Sequence, residues 1–506
     1  MRTRGAPLGE LHERGLALEV IGDPGVLVTG VRHDSRAVEP GDLFVAIPGR
    51  VHDGRRFAAD AVARGAAAVA ATSSLDHDVP VLRVADPRRA LGPLAERVYG
   101  EPTSALTVLG VTGTNGKTTT AWLVSEALAA RGRRAAFLGT VGSHVAGVSM
   151  PGALPTPEGD DLARFARRAV AAGASHLVME VSSHALAQHR PDAMRFAVAA
   201  FTNLTQDHLD FHGTMEAYFE AKARLFTELR PPRAVIPLDG GFGDRLAARF
   251  DGVPWRVSRR PRAGADLDVR AFALDRAGIR ATVGTPTDEA ELVSPLVGAH
   301  NLDNLLVALG SLLALGEGLR DAADALGQVG AVPGRLERVA SPGDEIEVIV
   351  DYAHTPDALG RALEALRPLT PGRLIAVFGC GGDRDRDKRT PMGRAGAAGA
   401  DLVVLTSDNP RSEDPAAILR AIEEGVRAVG MEPRRAGSAG ASGSGYLVEE
   451  DRREAIRAAV LAARPGDTVL VAGKGHEQVQ MRGGVARPFD DRVEARAALA
   501  ARRGGG

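Results

Sequence analysis

Apolar and polar residues alternate with two different periods along most of the chain. Short apolar runs such as TVLGV (107–111), HLVMEV (176–181) and RLIAVFG (373–379) are each followed by a longer stretch whose apolar residues recur with a helical period. Runs of the first kind form buried strands of parallel sheets, and stretches of the second kind form the crossover helices between them. The pattern therefore predicts an α/β fold built on parallel sheets.

The alternation of strand-like and helix-like stretches becomes regular after the first hundred residues and later starts again. These two changes predict three domains. Residues 1–104 contain the shorter β-like runs GVLVTGV, GDLFVAI and AAAVAAT between Pro/Gly turns, and they end near the linker-like sequence YGEPTSA. A regular alternation occupies residues 105–332 and starts again in residues 333–506, after the turn VPGR. A length of 506 residues also suits about three domains. The Gly/Ser/Ala-rich stretch 436–445 is predicted to be a flexible surface loop.

The composition narrows the class of protein. An apolar fraction of 44% beside 25% charged residues is typical of a soluble globular protein. The net charge of -2 lacks the basic excess of nucleic-acid binders, so nucleic acid is not an expected partner. No stretch is apolar enough for a signal peptide or a membrane span, and a single cysteine suits a reducing compartment. We expect a cytoplasmic protein.

Lysine is rare in this chain. Of the 62 basic residues only Lys117, Lys222, Lys388 and Lys474 are lysines, and the others are arginines. A lysine retained against such a bias marks a place that needs a compact ammonium or a reactive primary amine, neither of which a guanidinium replaces. The alternative is that the four lysines occur at these positions by chance.

A glycine-rich turn, GVTGTNGKTTTAW (110–122), follows the first apolar run of the central domain and opens a helical stretch. In this setting the backbone N–H groups bind phosphates, a lysine contacts them, and the next hydroxyl faces Mg²⁺. Five residues separate Gly110 from Gly116, one more than in the usual pattern. We predict a variant ATP- or GTP-binding loop with Lys117 and Thr118 in these two roles.

Two further polar clusters stand at predicted strand ends of the central domain. Glu180 lies in the run HLVMEV, and Asp207 and His208 follow the run AVAAFTNL. Open α/β sheets bind ligands at the carboxyl ends of their strands, so these residues are candidates for completing a Mg²⁺ shell. Spacing alone leaves the alternative that they are polar strand-end residues whose hydrogen bonds are made within turns.

The helical stretch GTMEAYFEAKARLF places Lys222 on an apolar face. Met215, Phe219, Lys222 and Phe226 share one stripe of a 3.6-residue period. Burial there would lower the pKa of the amine and increase the neutral form, which reacts with CO₂ to give a carbamate. Periodicity alone favours the other interpretation, in which the stem packs on the stripe and the amine reaches solvent.

Four polar clusters follow apolar runs of the C-terminal domain: DYAH (351–354), GCGGDRDRDKR (379–389), DNPR (408–411) and GKGHE (473–477). Parallel strands present their carboxyl ends at one edge of a sheet, and ligands bind there. We therefore predict that the four clusters form one ligand site.

Arg411 stands in the turn DNPR, before a helix whose N-cap and first residue are predicted to be Asp414 and Pro415. Its planar guanidinium is suited to binding a carboxylate through two hydrogen bonds. The alternative is that Arg411 only braces the loop against Glu413 or Asp414.

Taken together, these motifs resemble the Mur ligase family. The resemblance rests on GVTGTNGKTTT, MEVSSHALAQHR, DHLDFHG with Lys222 downstream, VPGRLE, DYAHTPD, CGGDRDRDKR, DNPR and GKGHE, and HDSRAVEPGDLFVAIPG extends it to nearly the whole chain. It implies an α/β fold of three domains: a small N-terminal UDP-binding domain, a central P-loop ATPase-like parallel-sheet domain and a C-terminal Rossmann-like domain that binds an amino acid.

Within the family, the motifs resemble members that add the third peptide residue to UDP-N-acetylmuramoyl-L-alanyl-D-glutamate. The resemblance implies an ATP-dependent amide ligase of peptidoglycan precursor synthesis, which works through an acyl phosphate. The arginine of DNPR implies meso-diaminopimelate as the incoming amine. ATP and Mg²⁺ are the implied cofactors, the two small-molecule substrates are the implied partners, and we expect a monomer.

The resemblance also implies a role for each matched residue. The implied ATP-binding residues are Gly113, Thr114, Asn115, Gly116, Lys117, Thr118, Thr119, Asn301, Asn304, Arg335 and Asp351. Binding of the UDP-muramoyl peptide is implied for Ser35, Thr156, Ser182, Gln188 and Arg190. Binding of diaminopimelate is implied for Arg389, Asp408, Asn409, Arg411, Gly473 and Glu477. One Mg²⁺ is implied for Thr118 with Glu180, and a second for His208 with Lys222 as its carbamate, N6-carboxylysine. Catalytic roles are implied for Lys117, Glu180, His208 and Lys222.

The chain departs from the family pattern at two positions. Pro155 replaces the first threonine of a Thr-Thr-Pro turn, so only Thr156 is carried over, and Pro237 stands where an asparagine is common. Three alternatives stay open: a version that adds L-lysine, a folylpolyglutamate synthetase-like ligase, and a P-loop ATPase or binding module. The second would not need HDSR or DNPR, and the third would only sense a ligand with its C-terminal domain.

Overall fold

The computed structural model describes residues 5–49, 53–76, 78–145, 148–150, 154–341, 343–434 and 443–504. They form two compact units. The first comprises Met1–Ala271, Ala281–Leu292 and Asp303–Val329, and the second comprises Phe272–Arg280, Val293–Leu302 and Gly330–Gly506. The domain boundaries predicted after residues 104 and 332 stay predictions. In the described part of the chain, no helix is both long and apolar enough to cross a membrane.

The N-terminal part of the first unit is a small, mostly parallel sheet with helices. Its elements are β1 (Ala6–Pro7), α1 (Leu8–Glu13), β2 (Glu19–Ile21), β3 (Leu27–Val28), β4 (Gly30–Arg32), β5 (Asp42–Val45), α2 (Ala58–Ala63), β6 (Ala68–Ala71), β7 (Val81–Arg83) and α3 (Pro87–Val98). The sheet order is β2-β7-β6-β5-β4, and only β2 runs antiparallel to its neighbour. Apolar side chains on both faces of β5 are buried, which suits a sheet covered on both sides.

A larger sheet follows in the chain. Its elements are β8 (Thr107–Thr112), α4 (Lys117–Ala130), β9 (Ala135–Gly139), β10 (Gly142–Val145), β11 (Val148–Met150), α5 (Gly159–Ala171), β12 (His176–Glu180), α6 (Ser183–Ala187), β13 (Phe196–Phe201), α7 (Leu209–His212), α8 (Met215–Thr227), β14 (Arg233–Pro237), α9 (Gly241–Arg249), β15 (Val253–Ser258), β16 (Leu267–Asp275), β17 (Gly278–Gly284), β18 (Glu289–Ser294), α10 (Ala299–Leu315) and α11 (Leu319–Gly327).

The parallel part of this sheet has the order β9-β12-β8-β13-β14-β15-β16. The chain leaves β8 for strands on one side of it and later crosses to β13 on the other side. The carboxyl end of β8 therefore lies where the strand order reverses, which is where open α/β sheets bind ligands.

The second unit contains another sheet with helices on both faces. Its elements are β19 (Glu337–Arg338), β20 (Glu347–Asp351), α12 (Pro356–Leu366), β21 (Leu374–Phe378), α13 (Arg389–Gly399), β22 (Leu402–Leu405), α14 (Pro415–Arg427), β23 (Gly445–Val448), α15 (Arg452–Ala462), β24 (Thr468–Ala472), β25 (Val479–Arg482), β26 (Val485–Pro488) and α16 (Asp491–Gly504). Its order is β19-β20-β24-β21-β22-β23, parallel except for β19.

Successive residues of β21 pack into different cores. Ala376 and Phe378 belong to one buried cluster, whereas Ile375 and Val377 belong to another. A strand buried on both faces reads as a continuous apolar run, which is why the sequence marks it clearly. The clusters DYAH, GCGGDRDRDKR, DNPR and GKGHE follow β20, β21, β22 and β24, so the prediction that they share one sheet edge is confirmed.

The structure differs from the sequence prediction in the N-terminal part. The run GVLVTGV forms two strands, because β3 pairs antiparallel with β1 while β4 pairs parallel with β5. The strands β2 and β7 were not predicted, since each has only three residues and no clear alternation. Most of the predicted surface loop 436–445 lies outside the described residues, and Gly445 begins β23.

Candidate active site

The predicted phosphate loop connects β8 to α4. Gly113 has a φ of 150° and Gly116 a φ of 81°. A Cβ at Gly113 would lie 1.9 Å from Thr202 Oγ1, and one at Gly116 would lie 2.1 Å from Asn304 Oδ1. Both positions therefore require glycine, and Asn304 lies directly against the loop. The loop ends at the N-terminus of α4, where backbone N–H groups favour an anion.

Two of the four lysines converge on one carbonyl group of this loop. Lys117 Nζ donates to Gly113 O at 3.0 Å and to Thr114 O at 2.8 Å. Lys222 Nζ donates to Gly113 O at 2.7 Å. The helix α8 thus brings its lysine to the loop from a position 109 residues away in the chain.

The phosphate loop is held by the segment after β13. Thr114 N donates to Asn203 O at 2.8 Å, and Asn115 N donates to the side-chain oxygen of Asn203 at 3.0 Å. Thr202 Oγ1 donates to Asn115 O at 2.5 Å, and Thr205 N donates to Thr114 Oγ1 at 3.0 Å. We call this segment, residues 202–205, the strap. Because it continues into DHLDFHG, it connects the phosphate loop to the predicted metal ligand His208.

Lys222 is deeply buried. Its side chain is 1% exposed, and Nζ lies 4.3 Å from the centre of the Tyr218 ring. Burial, reinforced by the charge of Lys117, holds the pKa of Lys222 well below its ordinary value. The interpretation in which this amine reaches solvent is therefore wrong, and the neutral amine that carbamate formation needs is favoured.

His208 is the N-cap residue before α7, with a φ of 53°, and its side chain stays half-exposed. Its ring stands edge-on to that of His184, with 4.7 Å between the centroids. Partial burial lowers the pKa of His208, and the charges of Lys117 and Lys222 act in the same direction against the opposing Asp207. A neutral imidazole results, which is the form that ligates metals.

Glu180 ends β12 with its carboxylate buried. Its two oxygens accept hydrogen bonds from the backbone N–H of Thr140 at 2.6 Å and from the Thr140 hydroxyl at 3.0 Å. A Cβ at Gly139 would lie 2.4 Å from Oε1, so that glycine makes room for the carboxylate. Each carboxylate oxygen retains a second lone-pair site for another partner.

The proposed metal ligands differ in their fit to Mg²⁺. The hydroxyl of Thr118 and the carboxylate of Glu180 supply the oxygen ligands that Mg²⁺ prefers. The imidazole of His208 and the amine of Lys222 do not, because both would offer nitrogen. A carbamate on Lys222 would add two oxygens, so this half of the donor set fits Mg²⁺ only when Lys222 is carboxylated.

Four residues predicted to contact the muramoyl peptide lie together beside β12. Thr156 Oγ1 donates to Glu180 O at 2.9 Å and accepts from Ser182 N at 3.1 Å. Arg190 donates to Thr156 O at 3.0 Å and to Gln188 Oε1 at 2.8 Å. The network ties the candidate substrate residues to the backbone carbonyl of Glu180, at the end of β12.

The segment HDSR packs against α5. Ser35 is buried at the start of a short 3-10 helix, and His33 Nδ1 lies 2.8 Å from Asp160 Oδ1. Within the described residues, His33, Asp160 and Asp161 are the only three His, Cys, Asp or Glu side chains whose ligand atoms lie within 4.8 Å of one another. Arg164 pairs with both carboxylates, at 3.3 and 2.8 Å, so this group is a charge network.

The second unit holds the other predicted nucleotide residues. Asp351 ends β20 and accepts a hydrogen bond from Leu336 N at 2.7 Å. Burial raises the pKa of Asp351 against the lowering charge of Arg335, whose guanidinium lies 4.8 Å from the Tyr352 ring centre. Asn301 is buried in the same unit near the start of α10.

Arg411 is held in a strained conformation by the β25–β26 hairpin. Its φ of 52° is uncommon for a residue other than glycine. Its N–H donates to Met481 O at 2.9 Å, and its carbonyl accepts from Gly483 N at 2.6 Å. Its guanidinium Nη1 donates to Gly382 O at 2.7 Å. The hairpin therefore fixes the point from which this guanidinium extends.

The predicted helix cap beyond Arg411 is confirmed. The Asp414 side chain caps α14, and Pro415 is the first residue of that helix. Glu413 pairs with Arg389 at 2.9 Å. Arg411 forms no ion pair with Glu413 or Asp414 in the described part of the chain, so the interpretation of Arg411 as a brace for these carboxylates is wrong.

The buried polar atoms near this turn that have no hydrogen-bond partner among the described residues include Asp408 Oδ1 and Arg389 Nε, on side chains 7% and 5% exposed. Lys474 Nζ lies 3.8 Å from Asp408 Oδ1, beyond hydrogen-bond distance. Burial raises the pKa of Asp408, although the charges of Arg452 and Lys474 oppose it. An unpaired buried donor and acceptor are costly, so both atoms are candidates for contacts with a bound ligand.

The turn DNPR is also tied to residues that the sequence did not single out. Gln480 Nε2 donates to Asp408 O at 2.9 Å, and Met481 N donates to Asn409 Oδ1 at 2.9 Å. Arg452 pairs with Asp491 through two hydrogen bonds of 2.7 Å, and both side chains are fully buried.

Most of these supporting residues carry no local sequence signal, because their partners lie far along the chain. The strap residues Thr202 and Asn203 were within quoted motifs, but only their partners on the phosphate loop reveal their role. Thr140 ends the apolar run AAFLGT, and its position beside a strand end was the only signal that could have identified it.

One unit contains a glycine-rich phosphate-binding loop with two lysines. The other contains a buried cluster of charged and polar side chains suited to an amino acid. Together these features are typical of a nucleotide-dependent ligase. Three family models match the chain: "Mur ligase family, catalytic domain" at residues 27–99, "Mur ligase middle domain" at 111–312 and "Mur ligase, glutamate ligase domain" at 334–475. The chain belongs to the Mur ligase family.

Curated relatives extend this similarity to the full length. A Gloeobacter violaceus protein named UDP-N-acetylmuramoyl-L-alanyl-D-glutamate--2,6-diaminopimelate ligase is 48% identical over 99% of this chain and 100% of its own. A Streptomyces coelicolor protein of the same name is 44% identical over 99% of this chain and 97% of its own. A solved structure of a ligase of that name has a TM-score of 0.70 and 34% identity, covering 99% of each chain.

A more distant structure shares the fold alone. The folylpolyglutamate synthase of Mycobacterium tuberculosis has a TM-score of 0.61 at 20% identity, covering 81% of this chain and 94% of its own.

Proposed function

We propose that the protein joins meso-diaminopimelate to the D-glutamyl γ-carboxylate of UDP-N-acetylmuramoyl-L-alanyl-D-glutamate at the expense of ATP. A γ-carboxylate oxygen attacks the γ-phosphorus of ATP, and ADP leaves. The amine nitrogen of diaminopimelate then attacks the acyl carbon, phosphate leaves with the bonding electrons, and the nitrogen loses a proton. The names of the full-length relatives support this reaction.

The observation that carries the proposal is the convergence of Lys117 and Lys222 on the Gly113 carbonyl. A phosphate loop alone would suit any nucleotide hydrolase. The second, buried amine places a group able to bear a carbamate beside that loop, as the Mur ligase pattern requires. Little covalent chemistry is needed from the protein, so positioning and charge neutralisation supply the rate.

We propose that Lys117 contacts the β- and γ-phosphates, whose charge shifts during transfer. Thr118 and Glu180 would hold one Mg²⁺, and His208 with carboxylated Lys222 a second. Bound there, Mg²⁺ would neutralise the phosphate oxygens and the acyl-phosphate charge. The other loop residues, Asn301, Asn304, Arg335 and Asp351, stay predicted contacts of the nucleotide.

The two substrates are assigned to different units of the chain. Ser35 is proposed for the uridine end, and the network of Thr156, Ser182, Gln188 and Arg190 for the muramoyl peptide. Diaminopimelate is proposed at the edge of the C-terminal sheet. There the unpaired atoms of Arg389 and Asp408 suit a carboxylate and an ammonium respectively.

The proposal is tested by measuring phosphate release with the UDP-muramoyl dipeptide and a panel of amino acids that contains meso-diaminopimelate, L-lysine and L-glutamate. We expect release only when ATP, the dipeptide and diaminopimelate are all present. Release without acceptor or amine would instead support a P-loop ATPase or binding module. Turnover with a folate acceptor and L-glutamate would support the folylpolyglutamate synthetase-like alternative.

Arg411 is expected to set the choice between diaminopimelate and L-lysine. Diaminopimelate carries a second amino-carboxylate centre at its far end, where lysine has only an amine. With lysine bound, the guanidinium would lose its carboxylate partner, a penalty of roughly 1–3 kcal/mol or more. We expect kcat/KM to favour diaminopimelate by about tenfold to a hundredfold or more in the wild type, and Arg411→Ala to remove most of this preference.

The measurement compares kcat/KM for both amino acids in the wild type, Arg411→Ala and Arg420→Ala. Arg420 is an exposed arginine of the neighbouring helix whose one ion pair among the described residues is with Asp414, so it serves as the matched control. A wild type that prefers lysine, or an Arg411→Ala protein weakened equally for both substrates, would contradict the assignment.

The cellular compartment and the oligomeric state are also proposals. We propose that the protein acts in the cytoplasm, where its nucleotide-linked substrate is available, and that it acts as a monomer. Size-exclusion chromatography with light scattering tests the second statement.

A further inference from the structure

We propose that Lys474 is a positioning residue of the amino-acid site: it orients Glu477 so that one carboxylate oxygen faces the ammonium group of the incoming amino acid. This inference rests on the proposed function, because it assigns the machinery that serves that substrate. Lys474 does not contact the substrate in this proposal: it hydrogen-bonds Glu477 and Asn409, and its ammonium also lies 3.8 Å from Asp408 Oδ1.

Lys474 is completely enclosed by the protein. Its side chain is 0% exposed, which is rare for a lysine unless it is paired. Nζ donates to Glu477 Oε2 at 2.9 Å and to Asn409 Oδ1 at 3.1 Å. Asn409 Nδ2 in turn donates to the same oxygen, Glu477 Oε2, at 2.8 Å. The three side chains form a closed triangle.

The local backbone explains how the lysine turns inward. Gly473 and Gly475 on either side have positive φ angles of 116° and 55°. A Cβ at Gly475 would lie 2.7 Å from Tyr352 Cβ, so the chain passes too close to its neighbour for a side chain there. Glu477 N donates to Lys474 O at 3.0 Å and closes a turn that brings the two side chains to the same side.

The triangle leaves Glu477 with one anchored and one available oxygen. Oε2 accepts both hydrogen bonds, and Oε1 has no hydrogen-bond partner in the part of the chain that the structure describes. The side chain is 32% exposed, in contrast to the enclosed lysine. The carboxylate is thus fixed in orientation while its second oxygen stays accessible to a cationic group.

The charges around Glu477 are consistent with this role. The pKa of Glu477 is lowered: burial alone would raise it, but the charge and hydrogen bond of Lys474 and the hydrogen bond of Asn409 outweigh that effect. Among the nearby groups, His476 acts in the same direction. Glu477 therefore stays ionised, as binding an ammonium requires.

A lysine suits position 474 better than an arginine would. An ammonium on a flexible stem donates in several directions from a compact head, whereas a planar guanidinium needs a larger space. The lysine at this position, in a chain whose basic residues are mostly arginines, suits a side chain that is 0% exposed and donates to two separate acceptors.

The test is a double-mutant cycle on steady-state kinetics with the full-length protein. Lys474→Met, Glu477→Gln and the double variant are compared with the wild type for KM of diaminopimelate, KM of ATP, KM of the UDP-muramoyl dipeptide and kcat. We expect Lys474→Met to raise KM for diaminopimelate by at least about tenfold, with little change in the other two KM values.

The double-mutant cycle distinguishes an effect of Lys474 through Glu477 from a general loss of stability. If Lys474 acts through Glu477, its substitution adds little further effect in the Glu477→Gln background, because coupled residues are not additive. Arg373→Met is the matched control: it removes the partner of the buried Asp467, which lies before β24, at the opposite end of that strand from Gly473. We expect it to lower the unfolding temperature without a selective change in KM for diaminopimelate.

The outcomes distinguish this inference from the proposed function. A wild type that does not use diaminopimelate contradicts the proposed function, whatever the variants do. An active wild type with an unchanged KM in Lys474→Met, or additive effects in the cycle, overturns the inference. If Lys474→Met does not fold, Lys474→Gln replaces it, and a normal KM in folded Glu477→Gln overturns the inference without any change at Lys474.

Discussion

Replacing Lys117 with alanine is expected to abolish phosphoryl transfer while the fold survives. The ammonium lies at the start of α4, within 3.0 Å of two carbonyl groups of the phosphate loop. A fixed positive charge at this point stabilises the charge that develops on the transferred phosphoryl group. Removing one such group costs on the order of 10²–10³-fold in kcat or more. Phosphate release at saturating ATP measures the effect.

Stability is checked separately for this variant. Lys117 is not needed to close the phosphate loop, because the loop is also strapped to Asn203 by backbone and side-chain hydrogen bonds. Thermal unfolding of Lys117→Ala should therefore stay close to that of the wild type and of Arg195→Ala, an exposed control in the same unit. A folded Lys117→Ala enzyme with unchanged turnover would show that the loop does not serve the transferred phosphate.

Lys222→Arg is expected to lose activity on a similar scale although the charge is kept. The substitution removes the primary amine that adds to CO₂ and forces a larger, permanently charged group into a site that is 1% exposed. We expect turnover to fall by on the order of 10²–10³-fold, as for other lost electrostatic contacts of a transition state. Addition of bicarbonate should not restore it.

Lys222→Met separates the chemistry from the fold. Methionine fills the apolar stripe without a buried charge, so this variant should be at least as stable as the wild type and still inactive. Short carboxylic acids should partly restore its activity, since they supply the oxygens that the carbamate would offer. An ordered, unmodified ammonium at Lys222, with nucleotide, Mg²⁺ and bicarbonate all present, would count directly against the carbamate.

The sequence by itself determined the main strands and the helix cap that flank the candidate sites. The strands β8, β12, β21 and β22 were predicted because buried parallel strands are continuous apolar runs. The cap of α14 was predicted because Asp414 and Pro415 act within a few residues of each other. The common edge of the four C-terminal clusters followed from the rule that parallel strands end on the same side. Each of these inferences needs only local sequence.

The tertiary structure decided which side chains are enclosed and what they touch. Periodicity placed Lys222 on an apolar stripe but favoured an amine that reaches solvent, and only packing against Tyr218 and Gly113 showed it to be buried. The pairing of Arg452 with Asp491 leaves no trace in the local sequence. Such contacts join residues far apart in the chain, so no period or short motif records them, and only the folded chain brings them within hydrogen-bond distance.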